Sequence, residues 1–323
     1  MTLKELIKPF QSDIDQFTST YEDVMRSNIP LVDTIAKYLV KYKGKQLRPL
    51  LVVMTARLCG KPTEHTYTAA AVVELLHVAS LVHDDVIDNS ETRRGFASIK
   101  SKWTNKIAVL MGDYLLSKSL IGATKTDQLE VMRILATAAK RLTKGELFQL
   151  EKSKKLDLTE TEYYELISDK TAALFTACTE LGVVTSTQDE AHLNALSSFG
   201  ENLGIAFQIK DDLLDYESKL SIIGKPAGSD ILESKLTLPL IHSLNVADSK
   251  TSKALLKQIK KGLHKKDIKP IIQFVVDHGG LEYTREKAES YVQKAKDALS
   301  IFPDNEYKAS LLNVVDYVTH RKK

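Results

Sequence analysis

The chain is poor in cysteine: Cys59 and Cys178 are the only two among 323 residues. They show no metal-ligand spacing, a structural zinc site would need more Cys or His, and such sparse thiols fit a cytoplasmic protein. Glycine (14) and proline (8) are also scarce. With few breakers and abundant Leu, Ala, Lys and Glu, long helices are expected. No period-2 alternation and no internal repeat is readable. An excess of one charge is missing as well. The net charge of +3 gives no support to a nucleic-acid role. Apolar runs are broken by charge before about 18 residues, so no transmembrane helix is expected. The N-terminus, MTLKELIKPFQSDIDQF, carries charge through what would be the apolar region of a signal peptide.

What the sequence does contain is helical periodicity. Leu281, Ala288, Tyr291, Val292, Ala295, Leu299 and Phe302 recur at three- and four-residue steps, and residues 126–153 form another such pattern with a Lys-rich outer side. Residues 66–88 and 197–216 are apolar on nearly all faces and should be central. No linker-like stretch divides the chain. The expectation is all-α: one domain over 1–323, a helical bundle with those two helices in its middle.

Both central helices end in like charge. HVASLVHDDVIDNSETRRG (77–95) places Asp84, Asp85 and Asp88 after an apolar run, and AFQIKDDLLDY (206–216) repeats the spacing as Asp211, Asp212 and Asp215. At about 100° per residue, the first and last Asp of each triplet lie roughly 40° apart, and all three fit on one side. Two such helices packed together would aim six carboxylates at one space. Unpaired carboxylates are costly to desolvate, so the arrangement calls for cations. Carboxylate oxygens suit magnesium, which keeps several waters and is usually completed by substrate phosphates. A solvated helix end is a serious rival for one DDxxD, but a weak one for two that both close apolar helices.

Basic residues stand nearby. GKQLRP supplies Lys45 and Arg48; Arg93 and Arg94 follow the first triplet; Lys170 and Thr171 lie in DKTAALF; Lys225 and Lys235 flank the loop in GKPAGSDILESK. Arg grips phosphate oxygens in bidentate fashion and Lys acts as a point charge. Singly each is an ordinary surface charge. Together they match two diphosphates, one held through metal and one by Lys and Arg alone. His77 lies two turns before Asp84 on nearly the same face, and Gln208 three residues before Asp211.

The ordered set GKQLRP, HDDVIDNSETRRG, GDYLLS, DKTAALF, FQIKDDLLDY and GKPAGSDILESKLTLPLI resembles the trans-isoprenyl diphosphate synthases, the polyprenyl synthetase family, over most of the chain. In that family GK usually precedes TLP by one residue; here Ser234-Lys235 stands there, with the lysine kept. The resemblance implies head-to-tail condensation of isopentenyl diphosphate with an allylic diphosphate. It implies magnesium, three ions per site with substrate bound, between the two Asp triplets. It implies Arg93, Lys170, Lys225 and Lys235 on the allylic diphosphate, and Lys45, Arg48, His77 and Arg94 on isopentenyl diphosphate. Thr171 and Gln208 would offer lone pairs to the allylic cation, and Lys170 would act on the leaving group. A homodimer is the family expectation.

Product length is read from the first Asp helix. In similar enzymes a bulky aromatic four or five residues before the first Asp closes the tunnel early; here those positions are Ser80 and Ala79, with Leu76 one turn further back. That suggests a product of about six to ten isoprene units, octaprenyl first, since each buried CH₂ contributes about 0.8 kcal/mol. A short-chain farnesyl or geranylgeranyl synthase and the catalytic subunit of a heteromeric synthase remain alternatives. A class I terpene cyclase is disfavoured, because it needs no second substrate's grip. The basic run KQIKKGLHKKDIK (257–269) could touch an anionic membrane transiently as a greasy product leaves, although a solvated helix–loop–helix surface is the more ordinary reading.

Overall fold

The computed structural model describes residues 2–42, 44–220 and 229–320. Among them strand is confined to a two-residue antiparallel pair, Thr92–Arg93 with Phe96–Ala97, and almost everything else is helix. The all-α expectation therefore holds, with one hairpin too short for any alternation to show in sequence. The chain groups into two compact units. One comprises Met1–Ala139, Leu174–Gly200 and Leu299–Val314, the other Lys140–Ala173, Glu201–Ala298 and Val315–Lys323.

In the first unit the helix Glu64–Ile87 is the centre, with Ala69 through Leu75 all buried. At its start the Thr66 hydroxyl accepts from the Thr63 N–H at 3.0 Å, which satisfies one of the orphan donors of a helix N-terminus. Its alanines let neighbours approach closely. The helix Asn105–Thr124 lies against it, with the Ser119 hydroxyl donating to the Val72 carbonyl at 2.8 Å. A Cβ on Gly122 would fall 2.5 Å from Val72 Cγ1, so only glycine fits there. Asn105–Thr124 is also, by length and composition alone, long and apolar enough to cross a membrane, a test that core helices of water-soluble proteins pass as well. It carries Lys106, Asp113 and Lys118. A buried ionic clasp holds the N-terminal helix Gln11–Met25 in this unit. Asp13, 4% exposed, accepts from Arg57 at 3.0 and 2.8 Å and from the Tyr67 hydroxyl at 2.7 Å.

In the second unit the core forms around the C-terminal part of the helix Glu190–Leu220. Ile205, Ile209, Leu213 and Tyr216 recur on one face and are buried with Leu238, Ile241, Ile271, Ile272 and Val275. The helices Leu238–Val246, Ile268–Asp277 and Gly280–Ala298 supply the other sides of that core. The expected helix ends fall within about four residues, except that Glu190–Leu220 begins about two turns before residue 197.

Candidate active site

In the second unit one cavity of about 230 Å³ collects much of the expected chemistry. Lys170, Thr171, Gln208, Asp212 and Lys235 line it, together with Asp230, which sequence reasoning did not single out. A chain of hydrogen bonds runs along the wall. The Thr171 hydroxyl donates to Gln208 Oε1 at 2.6 Å, and Gln208 Nε2 donates to Asp212 Oδ1 at 2.8 Å. The buried Tyr163 hydroxyl donates to Asp212 Oδ2 at 2.6 Å.

Lys170 and Thr171 sit in a single π-helical turn, Ser168–Ala172, a rare feature found disproportionately at functional sites. The helix Leu129–Lys155 passes directly beside it. A Cβ on Gly145 would lie 2.8 Å from the Lys170 backbone nitrogen, so glycine is required for that approach. Arg141 and Lys144 pin Asp169 from the same side at 3.0 and 2.7 Å. The Lys170 ammonium donates to Glu146 Oε2 and Gln149 Oε1, both at 2.9 Å. Lys235 pairs with Glu233 at 2.6 Å. Lys225 lies outside the described residues.

Two carboxylates of this cavity are held toward their protonated forms. Burial, and then repulsion from Asp230, push Asp212 up to about 8. Burial and Asp215 push Asp230 up to about 6, against the opposing pull of Lys235 and Lys170. Such shifts mark groups whose charged form awaits a partner. The signal for Asp230 was present in GSDILESK, five residues before Lys235, but a lone Asp in a polar segment carries no pattern of its own.

In the first unit the other triplet ends the helix Glu64–Ile87, with Asp88 as its C-cap. Asp84 is half-buried, Asp85 buried and Asp88 exposed. The Asp85 Oδ1 accepts from Arg93 Nε at 2.7 Å. Burial raises the Asp85 carboxyl, and Arg93 offsets part of the rise. Arg93 reaches back because the chain reverses at Arg94 and Gly95, both left-handed with φ +54° and +81°. The Arg94 guanidinium lies against Gly44. Arg48 Nη1 is 3.0 Å from His77 Nε2. Burial, followed by Arg48 and Arg94, holds His77 well below its ordinary value, so the neutral ring accepts from the guanidinium. Arg48 Nε has no hydrogen-bond partner among the described residues. Lys45 is exposed. Leu76 and Ala79 are buried, and the Ser80 hydroxyl donates to the His77 carbonyl at 2.8 Å, which keeps its polarity within the helix.

In both triplets the middle aspartate is turned into the protein and held, Asp85 by Arg93 and Asp212 by Tyr163 and Gln208. Asp84, Asp211 and Asp215 are half-buried; Asp84 lies in the last turn of its helix, whereas Glu190–Leu220 continues past Asp215, so the second triplet does not end its helix as expected. The expectation that all three of each triplet face one space is therefore modified by packing. The donor set is all oxygen and fits a hard divalent cation. Among the described residues no three potential ligands converge closely enough to hold a cation by themselves.

Residues 29–275 match the model of the polyprenyl synthetase family. The chain belongs to that family. It is 32% identical to the octaprenyl diphosphate synthase of Haemophilus influenzae, over 97% of this chain and 95% of that protein. Among solved structures it superposes on a decaprenyl diphosphate synthase from Rhodobacter capsulatus with a TM-score of 0.94, at 37% identity and complete coverage of both chains. A polyprenyl synthase from Caulobacter crescentus, complexed with calcium and isoprenyl diphosphate, matches with a TM-score of 0.92 at 34% identity, over 100% of this chain and 98% of that one. The protein is thus a prenyltransferase with the all-α isoprenoid synthase fold. The family depends on magnesium in general and uses isopentenyl and allylic diphosphates.

Proposed function

We propose that the protein elongates an allylic diphosphate with successive isopentenyl diphosphates to a long all-trans polyprenyl diphosphate of about six to ten units, octaprenyl first. The observation that carries the reading is the hydrogen-bonded chain Thr171–Gln208–Asp212–Tyr163 lining one cavity together with Lys170 and Lys235. Lys170, Lys235, Lys225 and Arg93 hold the allylic diphosphate. Asp84, Asp88, Asp211 and Asp215, with the more deeply buried Asp85 and Asp212, would hold magnesium, three ions with substrate bound, which would supply the positive charge that makes the diphosphate a better leaving group. The allylic C1–O bond breaks and the diphosphate takes the electron pair. Thr171 has committed its proton to Gln208, so its oxygen turns lone pairs to the cation, as does the Gln208 carbonyl.

Lys45, Arg48, His77 and Arg94 hold isopentenyl diphosphate. Its double bond attacks the allylic carbon, and the departed diphosphate accepts the proton. Ala79 and Ser80 leave room for the growing tail beside Leu76. Each five-carbon unit buried contributes about 4 kcal/mol, at about 0.8 per CH₂. The whole chain acts as one catalytic domain, in the cytoplasm, as a homodimer. Val109, Leu110, Leu120 and Ile121, all exposed on the helix Asn105–Thr124, support that pairing.

The test is incubation with isopentenyl diphosphate, magnesium and farnesyl diphosphate, with products sized by mass spectrometry. A product of about thirty to fifty carbons is expected, from five per unit. Arrest at fifteen or twenty carbons would keep the class and sink the long-chain reading, and no elongation would sink both.

A further inference from the structure

A lysine-rich surface stands apart from the chemistry. Residues 249–270 carry eight lysines against one aspartate, a net +7 in a chain of +3, so the remainder sums to −4. The positive charge of the protein is concentrated in this one segment.

Its placement follows from the helix Ser249–Lys260. At about 100° per residue, Lys250, Lys253, Lys257, Lys260 and Lys261 fall within an arc of about 100°. Leu255 and Ile259 lie opposite, Leu256 lies to one side, and all three pack on the core of the second unit. All five lysines are exposed, as are Lys266 and Lys269 just beyond. None of the seven has a carboxylate partner among the described residues. Several lysines elsewhere are paired: Lys144 with Asp169, Lys155 with Glu151, Lys296 with Asp316, Lys308 with Asp304. The two carboxylates at hand are used on backbone. Asp248 caps the helix by accepting from the Lys250 and Thr251 N–H groups, and Asp267 accepts from the His264 N–H. The lysines are thus left as an uncompensated sheet of charge.

We propose that this face docks the protein on an anionic lipid bilayer. The segment contains no arginine and no aromatic residue. Nucleic-acid recognition favours Arg forks and stacking rings, whereas compact ammonium charges suit the diffuse negative potential of a membrane surface. No large apolar side chain lies on the lysine arc, so attachment is electrostatic and reversible rather than by insertion. The choice of a bilayer rests also on the long-chain reading, since a tail of that length leaves water for lipid.

The test is sedimentation of the full chain with vesicles of phosphatidylglycerol and phosphatidylcholine, one to two, against phosphatidylcholine alone. A lysine near an anionic surface is worth roughly five-fold in partitioning. Binding only to the anionic vesicles at about 0.1 M salt is expected, with loss at about 0.5 M. Replacing Lys250, Lys253, Lys257, Lys260 and Lys261 together by Gln should lower binding at least ten-fold and leave elongation in solution unchanged, which also reports that the variant folds. No binding to anionic vesicles, or undiminished binding by the variant, overturns the proposal, as does tighter binding to single-stranded RNA than to vesicles. The elongation assay is independent, so a short product with intact vesicle binding would overturn the product length and not the surface.

Discussion

Tyr163→Phe is the most informative single change. It deletes one oxygen, the buried hydroxyl that donates to Asp212 Oδ2 at 2.6 Å, and leaves the ring in place. Asp212 is 3% exposed and already pushed up to about 8 by burial and by Asp230, while Tyr163 and Gln208 pull it down. A hydrogen bond to a charged group is worth about 1.5–3 kcal/mol, and one pKa unit is about 1.4 kcal/mol. Loss of the hydroxyl should therefore raise the Asp212 carboxyl by about one to two units. If the ionised carboxylate is the working form, the acid limb of the pH–rate profile moves up by about that amount. Turnover near pH 7 then falls about ten-fold or more, and recovers in part toward pH 9 or with excess magnesium. The assay is elongation rate against pH at two magnesium concentrations, with melting followed alongside. An unshifted acid limb in a folded variant would refute the reasoning.

Other expectations follow from the same geometry. Asp212 and Asp230 are raised in the fold, so the native state holds extra protons between about pH 4 and about pH 8, and the metal-free protein should lose stability as pH rises through that window. Buried neutral His77 acts oppositely: its contribution falls away below about pH 6.5, where it offsets one of the two aspartates, and above that pH the decline due to Asp212 is uncompensated; a melting temperature still rising to pH 8.5 would contradict this. Magnesium with inorganic diphosphate should release protons on binding at neutral pH, which calorimetry in buffers of different ionisation enthalpy would measure. Ala79→Tyr should shorten the product to about fifteen or twenty carbons, since under the proposed role the tail runs beside Ala79, which is buried; unchanged products from a folded variant would place the tail elsewhere. Asp13→Ala should cost about 2–3 kcal/mol in urea unfolding, less than a fully buried pair because Arg57 is one-third exposed; a loss under about 0.5 kcal/mol would contradict the clasp.

The parts legible in sequence were those written in local pattern. Helices came from periodicity and scarce breakers, and the two triplets from repeated spacing at the ends of apolar runs. Tyr163 could not be read, because its role depends on reaching Asp212 forty-nine positions away through packing. Asp230 was hidden for the opposite reason, as one acid in a polar stretch. The inward turn of Asp85 and Asp212 was missed because ideal helix geometry gives angles and not neighbours. The π-turn at Ser168–Ala172 has no signature of its own; it lies where Gly145 lets a neighbouring helix come close to the Lys170 backbone.

Under the proposed role, the tether of Lys170 to Glu146 and Gln149 bears on how the enzyme cycles. Each round of elongation ends with inorganic diphosphate in the place where the next, longer allylic diphosphate must bind. A lysine with no other engagement would cling to that by-product. Lys170 has a standing alternative at 2.9 Å, so the anion must compete with Glu146 for it both on entry and on departure. The free energy gained by returning to Glu146 offsets part of the cost of release. That balance suits a processive catalyst, which discards one diphosphate for every five carbons it adds.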